Sequence, residues 1–490
     1  MFDALDHALR RGKGRPAVLG TTRTGAPRTR ATCADLVALA DGWAAALHAR
    51  GLRPGDTAGV AVRPGPRALA LMLALDRLGV RAAVLDPGAG PEVLRARLAL
   101  ARPSLVLADA TAQAAAGWAR PLARRARLAL PDLAELGPVA TVGPRLPGCA
   151  PALERVAGAP PRRVDEDGDA VVVFTSGTTA RPRAVVHTRS SLAAGLASVA
   201  DLVRPAAGHP VLGGTFFVLL PSLANGAPVA LPARTPRALA RQLRRLQPQA
   251  TYLTPPQLRA ALSAGARFTG RVWTGSAPAG ADLLTRVRAA GAAEAWGVYA
   301  LTELFPAAAV EQAEKAAFTG AGDLVGRPLP GVTARTAPSG ELLLSGPAAR
   351  HRYLGDAPEP WVSTGDRARL DGDGRIVLAG RCKDMVLRRA ENIYPGLYEP
   401  ALHVAGVDLA LLVGVDTGDG DERLVAVVQP GPGADPRRVR AALAAPLERM
   451  GTARPDAVLL AEVPLAGRSR KPDRAAAARL AADRLGARLR

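Results

Sequence analysis

A short segment rich in glycine and hydroxyl side chains has the composition of a phosphate-binding loop. It begins directly after the apolar run at residues 171–174. Its members are Thr175, Ser176, Gly177, Thr178, Thr179, Ala180, Arg181, Pro182 and Arg183. At a strand end, such a loop can direct backbone N–H groups and hydroxyls toward one anion. The Gly-Lys-Ser/Thr of a Walker loop is absent. The segment therefore indicates either a nest for a polyphosphate or an ordinary Ser/Thr/Gly turn.

The elements that must position this loop follow from the spacing of apolar residues. Helical spacing and short apolar runs alternate along the first part of the chain. Helices are predicted over residues 33–50, 67–78 and 91–101, and strands over 57–62, 82–85 and 104–108. This alternation predicts an α/β fold with a largely parallel sheet that is covered by helices on both faces. The apolar stretch 68–75 is too short to cross a bilayer and predicts a buried helix.

The last part of the chain has a different pattern. After about Lys383, strands are predicted over residues 409–415 and 424–428, and helices over 436–447 and 473–485. Elements of this number and kind predict a small α+β domain behind the larger α/β domain.

The charge balance first suggests an anionic partner, since the chain of 490 residues carries a formal charge of +21. Only four of the 64 basic residues are lysines, however, and the arginines are dispersed. Such a ratio is typical of a protein from a GC-rich genome. Aromatic residues make up 3% of the chain, and no basic tract with interleaved aromatics occurs. We therefore expect no nucleic-acid partner.

The cysteines and the N-terminus bear on the compartment. Cys33, Cys149 and Cys382 are far apart and form no CxxC motif, so no metal site is expected from them. Unpaired cysteines favour a reducing compartment, and the first eleven residues have no apolar signal-peptide core. These observations predict a cytoplasmic protein without a membrane span.

The loop at residues 175–183 resembles the signature loop of the adenylate-forming superfamily. This family includes acyl-CoA synthetases, peptide-synthetase adenylation domains and luciferases, and its loop typically reads T-S-G-T-T-G-x-P-K-G. The present chain departs from that pattern at Ala180, Arg183 and Ala184. Arg183 keeps the charge of the family lysine but is a larger, planar cation, so pyrophosphate handling could differ.

Further motifs in the family's order extend the resemblance. Gly275, Ser276, Ala277 and Pro278 resemble the turn that lines the adenine pocket. Tyr299 to Glu303 resembles Y-G-x-T-E, with Ala300 in place of the glycine. This resemblance implies that Tyr299 packs on the adenine and acyl pockets, Thr302 contacts phosphate and Glu303 holds Mg²⁺. Asp366 ends an S-T-G-D motif, whose carboxylate would accept hydrogen bonds from both ribose hydroxyls.

The C-terminal part continues the match. The segment that contains Arg381 and Lys383 resembles the G-R-x-K/D-D hinge, in which Arg381 would contact ribose or phosphate and Lys383 would be the pivot. Lys471 falls at the family's catalytic lysine, although Arg470 is a possible stand-in because the alignment needs about one extra residue. The resemblance implies an N-terminal adenylation domain at 1–380 and a mobile C-terminal domain at 381–490, joined by the hinge.

The implied function is ATP- and Mg²⁺-dependent activation of a carboxylic acid to an acyl-adenylate with release of pyrophosphate. Transfer to CoA or to the phosphopantetheine thiol of an acyl carrier protein would follow. Residues 212–220 offer no carboxylate for a substrate amino group, so a fatty or other non-amino acid is expected. The predicted partner is thus a small-molecule acid, with a carrier protein as a second candidate; the oligomeric state stays open.

Two departures keep alternatives open. Arg389 and Ala390 stand where acyl-CoA synthetases place a glycine pair against the pantetheine tunnel, which could impair thioester formation. Residues 299–310 also look similar to the olefin β-lactone synthetase branch, in which the activated acid closes on itself without CoA. The accumulated substitutions leave a third possibility, a degenerate adenylation fold retained as a binding or scaffold protein.

Overall fold

The protein is described by a computed structural model that covers residues 2–22, 25–86, 91–119, 135, 137–158, 167–175, 183–388, 391–416, 421–466 and 470–486. The predicted α/β architecture is confirmed. No helix among these residues is long and apolar enough to cross a membrane.

The first third of the chain alternates strands and helices. In chain order the elements are α1 (Phe2–Gly12), β1 (Pro16–Thr21), β2 (Pro27–Thr32), α2 (Cys33–Ala49), β3 (Thr57–Ala61), α3 (Pro66–Leu78), β4 (Arg81–Val84), α4 (Pro91–Ala101), β5 (Leu105–Ala108), α5 (Ala110–Ala116), β6 (Val139–Thr141), β7 (Asp169–Phe174) and β8 (Ala184–Thr188).

The predicted helices of this region begin and end at recognisable capping residues. Thr32 and Asp35 form a capping box at the start of α2. Helix α3 starts at Pro66, and Gly79, directly after its last residue, caps it with a φ of 69° in the left-handed region. The stretch 68–75 is buried throughout, as predicted.

The middle of the chain continues with α6 (Arg189–Val203), β9 (Val211–Gly213), α7 (Phe216–Ala224), β10 (Val229–Ala230), α8 (Pro236–Leu246), β11 (Ala250–Tyr252), α9 (Pro255–Ser263), β12 (Arg271–Thr274), α10 (Ala281–Ala289), β13 (Glu294–Tyr299), β14 (Ala308–Glu311), α11 (Gln312–Ala317), β15 (Asp323–Pro328), β16 (Thr333–Thr336), β17 (Glu341–Ser345), β18 (Arg352–Tyr353), β19 (Val362–Leu370) and β20 (Ile376–Arg381).

Two large sheets organise these elements. The seven-stranded sheet has the order β18-β8-β7-β4-β3-β5-β6, and the thirteen-stranded sheet has the order β16-β17-β19-β20-β15-β14-β13-β12-β11-β9-β10-β1-β2. Strands β13, β12, β11, β9, β10 and β1 are parallel neighbours. Their carboxyl ends therefore share one edge, which is where open α/β sheets commonly bind ligands. The largest apolar core includes α2, α3 and the inner faces of both sheets.

The C-terminal part starts with a 3₁₀ turn at Cys382–Asp384. It continues with β21 (Val386–Arg388), β22 (Glu391–Ile393), 3₁₀ turns at Pro395–Leu397 and Glu399–Leu402, β23 (Val407–Asp416), β24 (Glu422–Pro430), α12 (Pro436–Arg449), a 3₁₀ turn at Gly451–Ala453, β25 (Ala457–Leu460), β26 (Leu465–Ala466), β27 (Lys471–Pro472) and α13 (Arg474–Gly486).

A small sheet with its own cores forms the centre of this part. Its order is β23-β24-β25, and apolar clusters that include residues of α12 and of α13 pack on it. The sheet also contacts the larger part, because Asp408 Oδ1 lies 3.5 Å from Nε of the buried Arg259 on α9. The predicted strands and helices of this region are thus present, while the domain boundary at residue 380 stays a prediction.

Candidate active site

The predicted polyphosphate loop leaves β7 and returns into β8. At its base, the Thr175 N–H donates to the Arg183 carbonyl at 3.0 Å, directly beyond the paired residues Phe174 and Ala184. Ser176, Gly177, Thr178, Thr179 and Ala180 lie outside the described residues. The two ends of the loop are therefore fixed by the β7–β8 pairing, and the nest between them stays a prediction.

The predicted adenine-pocket turn follows β12. An added Cβ on Gly275 would lie 2.8 Å from the Val298 carbonyl oxygen, so only a glycine lets the turn approach β13 this closely. Ser276 has a φ of 70° and its Oγ lies 3.1 Å from the hydroxyl of Tyr252, at the end of β11. Ala277 and Pro278 complete the turn. The carboxyl ends of β11, β12 and β13 thus meet here, as the parallel sheet requires.

Tyr299 and Asp366 form the centre of the site. Tyr299 ends β13, and its hydroxyl donates to Asp366 Oδ2 at 2.6 Å. Burial raises the pKa of Tyr299 well above its ordinary value, and the Asp366 carboxylate raises it further, so the phenol stays protonated. Asp366 lies on β19 with 6% of its surface exposed.

Arg381 is held against the same carboxylate by sheet register. Asp366 on β19 pairs with Arg381 on β20. Arg381 Nε lies 2.9 Å from Asp366 Oδ1, and its Nη1 donates to the Thr364 carbonyl at 3.0 Å. Burial raises the pKa of Asp366, while Arg381 and the Tyr299 hydroxyl oppose that rise. Both carboxylate oxygens, predicted to accept ribose hydroxyls, thus have protein partners in this structure: Oδ2 accepts a hydrogen bond from Tyr299, and Oδ1 forms an ion pair with Arg381.

Lys471 lies on β27 of the C-terminal part, within electrostatic range of this pair. Partial burial lowers the pKa of Lys471, the positive Arg381 lowers it further, and the negative Asp366 opposes both effects. The residue as a whole is nevertheless exposed at the surface. The alternative cation, Arg470, is also exposed and has a left-handed φ of 48°. Lys471 therefore interacts electrostatically with Asp366 and Arg381, which lie on β19 and β20.

The Thr302–Glu303 turn is held from three sides. The Thr302 carbonyl lies 2.8 Å from His187 Nε2, and the Glu303 carbonyl accepts from the Arg350 N–H at 2.6 Å. The Glu303 carboxylate accepts from the Tyr353 hydroxyl at 3.0 Å. Burial lowers the pKa of His187, so the ring is neutral and Nε2 carries the proton that it donates to Thr302.

Ala300 does not strain this turn. The non-glycine residues with positive φ within the described ranges are Lys13, Arg102, Arg204, Gln247, Ser276 and Arg470. Since Ala300 is not among them, the substitution of the family glycine imposes no left-handed backbone on an alanine.

The donor set suits a metal that arrives with a nucleotide. No cluster of three or more His, Cys, Asp or Glu side chains in the described part of the chain could hold a metal ion. Mg²⁺ commonly uses one or two carboxylates and completes its shell with substrate phosphates and waters. With one hydrogen bond from Tyr353, the Glu303 carboxylate retains lone pairs for such an ion. Glu303 therefore fits the predicted role.

The predicted hinge is a tight crossing of two backbones. Gly380 has a φ of 117°. An added Cβ on Gly396 would lie 2.5 Å from the Cα of Gly380. Lys383 is exposed in the 3₁₀ turn that follows Arg381. Asp384 binds Arg474 Nε at 3.0 Å, which ties the turn to α13. Arg389 and Ala390 lie outside the described residues.

Sequence reasoning missed four residues that shape the site: Tyr252, His187, Arg350 and Tyr353. Each reaches the site from a strand or loop far from the residue that it contacts. A signal existed only for His187, one of six histidines in the chain, which stands in an apolar strand immediately after the loop.

An apolar wall lies near the turn. The rings of Phe217 on α7 and Phe305 have centroids 4.0 Å apart, and His187 packs edge-on against Phe305 at 5.5 Å. Residues 212–220, predicted to border the acid, thus pack through Phe217 against the buried Phe305, which follows the Thr302–Glu303 turn.

Known proteins resemble this chain over most of its length. It is 28% identical over 465 residues to a feruloyl-CoA synthase of an Amycolatopsis species, with 87% of this chain and 88% of that protein covered. It is also 28% identical over 448 residues to the olefin beta-lactone synthetase of Stenotrophomonas maltophilia strain K279a, with 78% of each covered.

A solved structure is similar to this chain in fold, and a family model matches its sequence. The amide bond synthetase McbA from Marinactinospora thermotolerans shares the fold, with a TM-score of 0.77 and 24% identity over 97% of this chain and 99% of that one. The sequence model described as AMP-binding enzyme matches residues 5–354, well over half of the chain. The chain therefore belongs to the AMP-binding enzyme family.

Proposed function

We propose that this protein uses ATP to activate a carboxylic acid as an acyl-adenylate and releases pyrophosphate. The observation that carries the proposal is the contact of Asp366 with both Tyr299 and Arg381, and Lys471 interacts electrostatically with the Asp366–Arg381 pair. These residues come from separate segments of both parts of the chain, and the motif resemblance assigns each of them a role, with Arg470 as the alternative to Lys471. Relatives named as CoA synthases and as a β-lactone synthetase support the same reaction class.

The reaction joins two anions, so catalysis depends on charge neutralisation and alignment. A carboxylate oxygen of the acid attacks the α-phosphorus of ATP, and the bond from this phosphorus to the bridging oxygen breaks as pyrophosphate leaves. In this proposal, Asp366 and Tyr299 orient the nucleoside. Arg381 and the Lys471 ammonium offset charge at the phosphates, together with the N–H groups and hydroxyls of residues 175–179.

Glu303 and Thr302 complete the phosphate side. Glu303 would hold Mg²⁺, which neutralises phosphate charge when it is bound with the nucleotide. Thr302 would contact phosphate through its hydroxyl, which can donate a hydrogen bond, while its carbonyl accepts from His187 Nε2. The neutral His187 thereby keeps the turn in place without adding charge.

The acid is proposed to be a fatty or other non-amino acid. The segment 212–220 has no carboxylate that could bind a substrate ammonium, and its Phe217 packs against the buried ring of Phe305. An apolar segment without an acidic side chain favours an apolar acyl group. We propose no nucleic-acid partner, and the three free cysteines fit the expectation of a reducing, cytoplasmic compartment.

The acceptor is proposed to be the thiol of CoA or of the phosphopantetheine on a carrier protein. Two observations favour a second candidate reaction, in which the activated acid closes on itself without CoA. Arg389 and Ala390 replace the family's glycine pair, and the olefin beta-lactone synthetase of Stenotrophomonas maltophilia is a relative.

Pyrophosphate release over a panel of aliphatic, aromatic and β-hydroxy acids, with and without CoA, tests this proposal. Acid-dependent release supports adenylation, and a CoA-dependent increase with a thioester product supports the thiol acceptor. Equal release without CoA, ending in a β-lactone, would establish the second candidate. No release with any acid would contradict adenylation and favour a scaffold protein.

A further inference from the structure

Tyr353 connects the strand that follows the polyphosphate loop with the predicted magnesium ligand. It lies on β18, which pairs antiparallel with β8, so that Tyr353 stands opposite Val185. Strand β8 begins one residue after Arg183. The register of these two strands therefore places the tyrosine beside the end of the loop.

The tyrosine hydroxyl donates to the Glu303 carboxylate, with 3.0 Å between Oη and Oε1. A carboxylate oxygen can only accept, so the direction of this bond is fixed. The segment that carries the tyrosine also holds the glutamate backbone, since the Arg350 N–H donates to the Glu303 carbonyl and Ala349 bridges to Leu304. Backbone and side chain of Glu303 are thus fixed by the same short segment.

Two guanidinium groups hold the tyrosine ring. Arg350 Cζ lies 4.3 Å from the ring centroid, and Arg183 Cζ lies 5.1 Å from it. The Arg350 side chain is 2% exposed and binds Glu359 through Nη2 at 2.7 Å. Its Nε and Nη1 are buried and have no hydrogen-bond partner among the described residues. Arg350 therefore contacts the ring through its face and restricts the positions that the ring can adopt.

We propose that Tyr353 is a positioning residue that fixes the Glu303 carboxylate for the magnesium–nucleotide complex and couples it to Arg183. This inference rests on the proposed function, in which Glu303 holds the metal and Arg183 belongs to the phosphate loop. A carboxylate held in one rotamer binds the metal without first losing side-chain freedom. Arg183, which stands where the family has a lysine, then influences the position of the Glu303 carboxylate through its contact with the Tyr353 ring.

The variant Tyr353→Phe tests the proposal, since it keeps the ring and both cation–π contacts but removes the hydroxyl. Loss of one hydrogen bond to a charged group typically changes an equilibrium by about tenfold or more. We expect the Mn²⁺ affinity of the enzyme with bound α,β-methylene-ATP to fall about tenfold, as measured by the electron paramagnetic resonance signal of free Mn²⁺. Metal-independent AMP binding should stay within about twofold of the wild type. Tyr398→Phe is the matched control, because its ring packs in the C-terminal core away from Glu303.

A double-mutant cycle separates positioning from a general structural role. In a Glu303→Gln background, Tyr353→Phe should change the affinity for the ATP analogue by less than about twofold, because the group through which it acts is already altered. An unchanged Mn²⁺ affinity in Tyr353→Phe would overturn the proposal, and so would equal losses of AMP and metal binding or a full additional loss in the Glu303→Gln background.

The same measurements distinguish this failure from failure of the proposed function. If the wild type binds Mn²⁺ with the analogue and releases pyrophosphate, but Tyr353→Phe matches it, only the positioning role is wrong. If the wild type neither releases pyrophosphate nor binds the metal–nucleotide complex, both inferences fail.

Discussion

The nucleotide side and the acceptor side of this protein differ in how completely the family pattern is kept. On the nucleotide side, Tyr299, Asp366 and Arg381 form a connected set of hydrogen bonds and an ion pair. On the acceptor side, Arg389 and Ala390 replace a glycine pair. The proposed nucleotide half of the reaction therefore has directly contacting residues that keep the family motifs, whereas the proposed acceptor half departs from the family pattern.

The largest effect on the nucleotide side is expected at Lys471, the proposed catalytic lysine. Lys471→Ala removes a cation from beside Asp366 and Arg381, and the loss of one such group typically lowers the rate by about 10²- to 10³-fold. AMP affinity should change little, because Tyr299, Asp366 and Arg381 remain. Acid-dependent pyrophosphate release and AMP titration calorimetry measure the two quantities.

Arg470→Ala is the matched variant for this prediction. It should retain most of the activity, since Lys471 is the residue that interacts with the Asp366–Arg381 pair. A collapse of adenylation in Arg470→Ala, with Lys471→Ala near the wild type, would assign the catalytic cation to residue 470 instead.

A smaller but still large effect is expected at the ribose side. Asp366→Asn removes the charge that both Arg381 and the Tyr299 hydroxyl engage, and hydrogen bonds to charged groups are each worth about 1.5–3 kcal/mol. AMP affinity should therefore fall about ten- to a hundredfold, as measured by calorimetry. Asp373→Asn is the control, because this exposed residue lies on the same hairpin and pairs only at 3.3 Å with Arg375. Equal losses in the two variants would contradict a specific role for Asp366.

A substitution on the acceptor side is expected to increase an activity rather than lower it. Replacing both Arg389 and Ala390 by glycine should increase CoA-dependent thioester formation by about fivefold, since a side chain at a glycine position costs about 1 kcal/mol. Pyrophosphate release without CoA should stay unchanged. If thioester formation does not rise while a lactone product persists, the acceptor is not a thiol.

The smallest effect is expected in the pH profile of adenylation. The reaction needs Lys471 protonated and Asp366 ionised. Burial and Arg381 lower the pKa of Lys471, so activity should fall, as pH rises, at a pH below that expected for an ordinary lysine. Burial raises the pKa of Asp366, so the acid limb should begin above the ordinary aspartate range. A profile of kcat/KM against pH measures both limbs, and limbs at or outside the ordinary values would contradict the described site.

Much of the fold could be predicted because its signals are local. The helices at Cys33–Ala49 and Pro66–Leu78 and the strand between them, Thr57–Ala61, lie within one or two residues of the predicted bounds. Their apolar periodicity and capping residues act over a few neighbouring positions. The motif residues Tyr299 and Asp366 could be named from the family resemblance, although their direct contact could not.

The supporting residues could not be predicted because their signals are not local. Tyr353 reaches Glu303 across 50 positions of sequence, and His187 reaches Thr302 across 115. The pairing of β18 with β8 places Tyr353 and His187 on neighbouring strands, and both strands contact the Thr302–Glu303 turn. The net positive charge alone would suggest an anionic partner. Arginines such as Arg352 and Arg474, however, form ion pairs with carboxylates of the same chain.

Transfer of labelled oxygen tests the central claim, acyl-adenylate formation, most directly. The acid that gives the highest pyrophosphate release is supplied with ¹⁸O in both carboxylate oxygens, and the nucleotide product is analysed by mass spectrometry. Attack by the carboxylate on the α-phosphorus, followed by loss of the acyl group to any acceptor, leaves one labelled oxygen in AMP. We expect AMP with a single ¹⁸O; unlabelled AMP, or ADP accompanied by labelled phosphate, would contradict the proposed function.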